Sequence, residues 1–252
     1  MAAAMALDGY KPVVAIYSTF LQRAYDQVMH DVALQNAPVV FCLDRAGLVG
    51  DDGPTHHGIF DVSYLRHIPN MVCMAPKDEN ELRHMLYSAL AYNCPVAVRY
   101  PRGEGLGVPM DDALQVLPLG KAEVLQEGSK VTLLALGSMV HIAQQVAVRL
   151  QDEMGITATV INARFAKPLD AETIMHYASD DTLLVTLEEQ AVTGGFGSAV
   201  LELLNQNGMD TRKVLTIGIA DAFVQHGNTT ILKEMQGLDV DSIIAKVKER
   251  LG

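Results

Sequence analysis

The sequence predicts an α/β protein made of two parallel or mostly parallel open sheets flanked by helices. Short apolar runs without a polar face alternate with longer amphipathic stretches along the whole chain. Strands covered on both faces, as in parallel sheets, read in that way. A stretch rich in glycine and proline, 104–119, interrupts the alternation and divides it in two.

The first half opens with "PVVAIY" (Pro12–Tyr17) and continues into "FLQRAYDQVMHDVALQ", where Leu21, Ala24, Val28 and Val32 share one helical face. "PVVFCL" (Pro38–Leu43) is a second strand, and "MVCMAP" (Met71–Pro76) a third. Asp78 can cap the next helix, whose stripe is Leu82, Met85, Leu86 and Leu90. "PVAVRYPRG" (Pro95–Gly103) is the fourth strand. The order β-α-β-loop-β-α-β implies right-handed crossovers in a parallel sheet. Beyond the linker come "KVTLLALG" (Lys130–Gly137), a helix over Met139–Met154 and "TATVINAR" (Thr157–Arg164). A short helix after Pro168, "TLLVTLEE" (Thr182–Glu189), a helix through "GSAVLELLNQ", "KVLTIGI" (Lys213–Ile219) and two closing helices follow. The last helix docks through Val240, Ile243, Ile244, Val247 and Leu251.

A length of 252 residues, 49% hydrophobic and 19% charged, suffices for two cores. The expected division is a first domain over 1–103, a linker over 104–119 and a second domain over 120–252. The net charge of −11, with no cluster of lysine or arginine, excludes an ordinary nucleic-acid-binding face. No run reaches the roughly 20 apolar residues of a membrane span. The opening "MAAAMALDGYKP" has no basic segment and its apolar run stops at Asp8, unlike a secretory signal. Cys42, Cys73 and Cys94 show no C-x-x-C spacing and read as small hydrophobes of a reduced protein. A soluble, cytoplasmic protein is expected, and one this acidic must place arginines locally to handle an anion.

Ligands of open α/β sheets gather beyond the C-terminal ends of the strands. After the first strand stand Tyr17, Ser18, Phe20 and Arg23; after the second, "DRAGLVGDDGPTHHG" (Asp44–Gly58); after the fourth, Arg99 and Arg102. The forked guanidinium matches two oxygens of a phosphate or carboxylate. Arg45 and Arg102 are therefore candidates to hold one anionic group, with pairing to surface carboxylates as the alternative. Asp52, His56 and His57 suggest a metal, but adjacent histidines point apart in extended chain and no further His/Cys cluster is near. No metal site is predicted; one histidine exchanging a proton near neutral pH is the better reading. In the second half, "GGFGSA" is G-x-x-G rather than a dinucleotide fingerprint, so its glycines read as tight packing at a helix start. His226 reads as a surface loop residue.

"YSTFLQRAYDQ", "DRAGLVGDDGPTHHG", "RYPRG", "NARFAKPLD", "LEEQAVTGGFGSAV" and a later "HG", in this order, closely resemble the 1-deoxy-D-xylulose-5-phosphate synthases of the transketolase superfamily. The resemblance covers essentially the whole chain, and Arg45 directly after Asp44 separates it from transketolases. It implies a partial pyrimidine-binding domain followed by a transketolase C-terminal-like domain. It also implies a reaction: pyruvate loses CO2 and condenses with glyceraldehyde 3-phosphate, feeding isoprenoid, thiamine and pyridoxal synthesis. Phe20 matches the ring that stacks on the aminopyrimidine of thiamine diphosphate. Arg45 and Arg102 match the pair that grips the substrate phosphate. Tyr17, Arg23, Asp52 and His56 match residues lining the acceptor and intermediate pocket. Magnesium, and a homodimeric parent enzyme, belong to the same implication.

Members of that family are more than twice as long and carry a GDG…N magnesium and diphosphate motif, then a Glu-Gln-His stretch, ahead of the matching segment. The chain is accordingly expected to lack the N-terminal domain, to retain neither cofactor nor magnesium, and to be inactive alone. A complementing N-terminal domain or chain would be its partner, and apolar surface is expected on the first domain. The alternatives are a non-catalytic α/β protein that binds a partner or an anionic metabolite, and a subunit of a split transketolase-type enzyme.

Overall fold

Runs of valine, isoleucine and leucine without a polar face are laid down as two five-stranded sheets in the computed structural model, which describes residues 1–178 and 181–252. The first half contains α1 (Ala2–Leu7), β1 (Val13–Tyr17), α2 (Ser18–Leu21), β2 (Val40–Asp44), α3 (Asp61–Leu65), β3 (Val72–Met74), α4 (Glu79–Ala91) and β4 (Val96–Arg99). The second contains β5 (Glu123–Gln126), β6 (Val131–Ala135), α5 (Met139–Met154), β7 (Thr159–Asn162), β8 (Phe165–Lys167) and α6 (Ala171–Tyr177). It ends with β9 (Leu183–Ala191), α7 (Phe196–Gln206), β10 (Val214–Ile219), α8 (Thr229–Gln236) and α9 (Val240–Leu251).

The first sheet runs β1-β2-β4-β3-β8 and the second β10-β9-β6-β7-β5. Among the described residues only the strand pairs β8–β3 and β5–β7 are antiparallel, so both sheets are mostly parallel, as the alternation predicts. The central strands are buried apart from Asp44 at the end of β2; all nine residues of β9 are covered, in keeping with its apolar start at Leu183–Val185. β1 is an edge strand with Val13 exposed, and Met5, Leu7, Tyr10, Phe20 and Leu34 are further exposed apolar side chains of the first half. Asp78 caps α4 by accepting the Glu81 N–H at 2.8 Å. α9 buries Ile243, Ile244 and Val247, while Leu251 is exposed.

Two departures from the expected elements have physical reasons. The amphipathic stretch after β1 is not one α-helix: α2 tightens over Gln22–Ala24 and then widens into a π-helical turn over Gln27–Ala33. In the wider turn residues five apart share a face, so Val28 and Ala33 are both buried along with Val32. And β8, which follows β7 through Arg164 in a left-handed conformation (φ 59°), leaves the second sheet and completes the first.

Residues 100–122 carry no helix or strand and are strapped along α4. The Glu79 carboxylate accepts the backbone N–H groups of Leu106, Gly107 and Val108 at 3.0, 2.6 and 3.0 Å. One turn on, His84 Nδ1 accepts the Gln115 N–H and Nε2 pairs with Asp111 at 2.8 Å. Ser88 Oγ then accepts the Leu117 N–H at 2.8 Å. Asn80, which accepts the Asp111 N–H at 3.0 Å, His84 and Ser88 stand four apart on one helix face, so the strap follows that face.

Two buried polar clusters fasten the halves together. Glu81 accepts Arg164 Nε at 2.7 Å and Asn162 Nδ2 at 2.9 Å. Arg99, at the end of β4, donates to Asp61 at 2.9 Å and to the Gln190 side chain of β9 at 3.2 Å. Both members of the Arg99–Asp61 pair are buried, and removing one partner of such a pair strands the other charge. Asp61→Ala is expected to lower the unfolding free energy by about 3–5 kcal/mol, read as a drop in the urea midpoint. A shift worth less than about 1 kcal/mol, as for an exposed ion pair, contradicts this assignment.

Candidate functional site

The parallel register sets Tyr17 opposite Asp44 and Leu43 opposite Arg99, so three chain segments leave the first sheet along one edge. The residues picked out in the sequence meet there. Arg45 adopts a left-handed backbone (φ 61°), which turns its side chain back over the sheet edge. Its guanidinium carbon lies 3.7 Å from the centre of the Tyr17 ring. Tyr17 stacks on Phe20 with centroids 4.9 Å apart, and His56 meets Phe20 edge-on at 5.5 Å. Arg23 sits 5.9 Å from the Phe20 ring centre. Arg45, Tyr17, Phe20, His56 and Arg23 thus form one continuous string of contacts.

Asp52 and Arg102 stand beside it as a pair at 3.1 Å, about half exposed at 40% and 48%. Arg102 also donates to the Val49 carbonyl at 3.4 Å. An exposed pair of this sort is worth at most about 1 kcal/mol, so an incoming anion can take Arg102 from Asp52 at little cost. Arg45 and Arg102 line a single cleft of about 650 Å³, together with Tyr100, Lys77, His141 and Lys233. A second cleft of about 450 Å³ lies between Arg23, His57, Phe60 and Phe223.

The loop that carries Arg45, Asp52 and His56 is pinched at its base: Gly47 and Gly58 exchange both backbone hydrogen bonds, at 2.8 and 2.9 Å. A Cβ on Gly58 would lie 2.2 Å from the Arg45 carbonyl, so only glycine fits this crossing. The adjacent histidines separate as their geometry requires. His57 is buried: Nδ1 accepts the Val49 N–H at 3.0 Å, and Nε2 must donate to the Gln225 carbonyl at 3.1 Å. That fixes one neutral tautomer and makes His57 a brace. His56 is partly exposed, contacts Thr55 Oγ1 through Nδ1 at 2.9 Å and faces Phe20. Among the described residues no three His, Cys, Asp or Glu side chains gather closely enough to hold a metal ion.

Three residues of β9 were not singled out from the sequence. Glu188, Glu189 and Gln190 are all buried where the strand reaches the first sheet. Glu189 accepts the Leu48 N–H of the pinched loop at 2.9 Å. Their signal was visible: two carboxylates and an amide stand near the end of a strand whose other residues, Thr186 apart, are apolar. Glu188 accepts the Phe196 and Gly197 N–H groups at 2.7 and 2.8 Å, so the start of α7 is capped from inside the protein. A Cβ on Gly195 would lie 2.4 Å from the Glu188 carboxylate. The glycines of "GGFGSA" therefore serve close packing.

Comparison with known proteins places this architecture. Residues 1–106 match the transketolase pyrimidine binding domain and residues 120–243 the transketolase C-terminal domain. A solved split-gene transketolase, described as an inactive β4 tetramer, is 31% identical with a TM-score of 0.87; the match covers 99% of this chain and 79% of that one. This chain belongs to the transketolase family. A transketolase from Campylobacter jejuni shares the fold at 21% identity and a TM-score of 0.77, over 98% of this chain and 37% of that one. Within the family the chain is similar to 1-deoxy-D-xylulose-5-phosphate synthases. It is 57% identical to that of Heliobacterium modesticaldum over 99% of this chain and 38% of the relative. For Pelotomaculum thermopropionicum the figures are 59%, 99% and 39%. The chain thus spans about two fifths of the length of these curated relatives. No helix among the described residues is long and apolar enough to cross a membrane.

Burial pushes the Glu188 carboxyl up from its ordinary 4.5 to about 7, against the opposing pull of the two helix N–H groups. A carboxyl raised on folding favours the folded state fully below about pH 4.5, and that contribution is lost as pH climbs to about 7. The difference in unfolding free energy between wild type and Glu188→Gln should fall by about 3 kcal/mol between pH 4.5 and 8. A difference that stays constant across that range, in urea titrations of both proteins, contradicts a proton held by Glu188.

Proposed function

We propose that these 252 residues form the acceptor-binding and pyrimidine-stacking part of a 1-deoxy-D-xylulose-5-phosphate synthase. The reaction condenses pyruvate with glyceraldehyde 3-phosphate and releases CO2, in the cytoplasm, as a step toward isoprenoids and thiamine. The observation that carries this reading is the string Arg45–Tyr17–Phe20–His56 at one sheet edge, with Arg102 on the same cleft as Arg45. Two guanidinium groups on one cleft suit a phosphate dianion, and a carboxylate partner as exposed as Asp52 is readily displaced.

Phe20 is 41% exposed at a strand end, which fits stacking by the flat aminopyrimidine of thiamine diphosphate. When bound, that cofactor supplies the nucleophilic carbon on which pyruvate is decarboxylated. His56, with Nδ1 engaged by Thr55, has Nε2 left to exchange a proton with the aldehyde oxygen of the acceptor. Tyr17 keeps Arg45 and Phe20 in register, and Arg23 lines the neighbouring cleft beside His57 and Phe223. By the family resemblance, the magnesium ion and the diphosphate anchor are assigned to a complementing region or chain.

Similarity to a split-gene transketolase supports an arrangement in which that complement is a separate polypeptide, with the homodimer of the parent enzyme rebuilt from both. The exposed edge strand β1 and the apolar side chains Val13, Met5 and Tyr10 suit such a contact. The 252-residue chain alone is expected to give no product from pyruvate and glyceraldehyde 3-phosphate. It should nonetheless bind glyceraldehyde 3-phosphate at roughly millimolar strength in calorimetry, near the low end of specific affinities. Arg45→Ala or Arg102→Ala should weaken this about tenfold or more, about 1.4 kcal/mol, in line with loss of a charge-assisted hydrogen bond. Binding unchanged in both variants would falsify the phosphate assignment.

A further inference from the structure

The second domain also takes part in the cleft, through Glu189. This residue is 3% exposed on β9, yet its carboxylate serves three other segments. One oxygen accepts the Leu48 N–H at 2.9 Å. The other accepts the Ser138 hydroxyl at the start of α5 at 2.9 Å and pairs with Lys233 of α8 at 3.0 Å. Leu48 belongs to the loop that begins at Arg45 and carries Asp52 and His56. A Cβ on Gly47 would fall 2.8 Å from the Glu189 carboxyl carbon, so the loop backbone rests directly on this group. Lys233 and Ser138 line the same cleft as Arg45 and Arg102.

The loop needs an external anchor. Gly47, Gly50 and Gly53 all have positive φ, and a segment with so many glycines keeps wide backbone freedom unless it is tethered. Its own pinch at Gly47 and Gly58 closes the base, while the far side is tied to the second domain by His57 on the Gln225 carbonyl and by the Gly227 N–H on the Gly50 carbonyl. Glu189 fixes the near side, next to Arg45, because the buried Leu48 N–H has this carboxylate as its acceptor. Since Lys233 is neutralised by the same carboxylate, it adds a placed donor to the cleft wall more than it adds net charge.

We propose that Glu189 is a positioning residue for the acceptor: it seats the Arg45-bearing loop through Leu48 and holds Lys233 at the cleft, so both domains build the phosphate site. The proposal rests on the reading of the cleft as a phosphate site, and it predicts that seating the loop, which needs an oxygen at this reach, governs affinity more than the Lys233 pair does. Glu189→Gln keeps an oxygen for the Leu48 N–H while its amide NH2 cannot accept from Lys233, so the loop stays seated and affinity should stay within about threefold. Glu189→Asp keeps the charge but shortens the arm, and Glu189→Ala removes it; both should release the loop.

The test pairs two readouts on the 252-residue chain. Amide hydrogen exchange at Leu48 and its neighbours should rise about tenfold or more in Glu189→Asp and Glu189→Ala and little in Glu189→Gln, with β10 as an unchanged reference. Titration with inorganic phosphate and with glyceraldehyde 3-phosphate should show a parallel loss of about tenfold in the first two variants only. Should Glu189→Ala not fold, Glu189→Asp carries the comparison. Wild type that binds neither anion overturns the phosphate reading of the cleft, while exchange at Leu48 still reports on the loop anchor. Wild type that binds, with Glu189→Asp binding equally well or Leu48 equally protected, overturns the positioning role itself.

Discussion

Arg99 leaves the last turn of β4 with its guanidinium buried, and its donors go to Asp61, the Gly58 carbonyl, the Glu189 carbonyl and the Gln190 side chain. A guanidinium cannot shed its charge to suit a dry environment, so every donor it carries must find an acceptor. Meeting that demand draws β9 of the second sheet onto the strand ends of the first. Gly58, one of the acceptors, is also the residue that closes the pinched loop. The same contact thus sets where the loop begins and ends, and where the cleft between the two sheets opens.

Arg45 and Arg102 follow a different rule. They stand beyond the strand ends: solvent screens the pairing of Arg102 with Asp52 and lets a ligand compete for it, while the more buried Arg45 pairs with Asp44 and keeps its Nε without an acceptor. Three arginines within one small region therefore divide by burial: Arg99 fastens, while Arg45 and Arg102 face the cleft. The adjacent histidines divide likewise, His57 bracing the loop from within and His56 turned to the Phe20 ring. Burial decides in each case whether a polar side chain serves structure or is available for chemistry.

Much of the framework was legible in the sequence because parallel strands and amphipathic helices carry strong periods. β8 was not, since three residues show no period and its pairing partner β3 lies some ninety residues earlier, by the register Cys73 to Lys167. β5 alternates between half-buried and exposed positions as an antiparallel edge, a weaker signal than a buried run. The break after α2 was hidden because Leu21, Val28 and Val32 suit an α-helical stripe as well as the widened turn. For the candidate site, the strand-end rule pointed to segments that the structure brings together. It could not separate Arg99 from Arg102, because Asp61, which buries one of them, is 38 residues away. Glu189 escaped for the same reason, with Leu48 141 positions distant. The roles given to Tyr17, Arg23, Asp52 and His56 came from family resemblance, which pattern alone does not supply.

The central claim is that this cleft presents an acceptor phosphate to thiamine chemistry carried out on pyruvate. It is tested most directly by combining the chain with the diphosphate-binding portion of a related synthase, thiamine diphosphate, Mg²⁺ and ¹³C-labelled pyruvate, and following the label by NMR. Labelled 1-deoxy-D-xylulose 5-phosphate, formed only when glyceraldehyde 3-phosphate is present, is the predicted result. Transfer of a two-carbon unit from a ketose phosphate, with pyruvate left untouched, would contradict it.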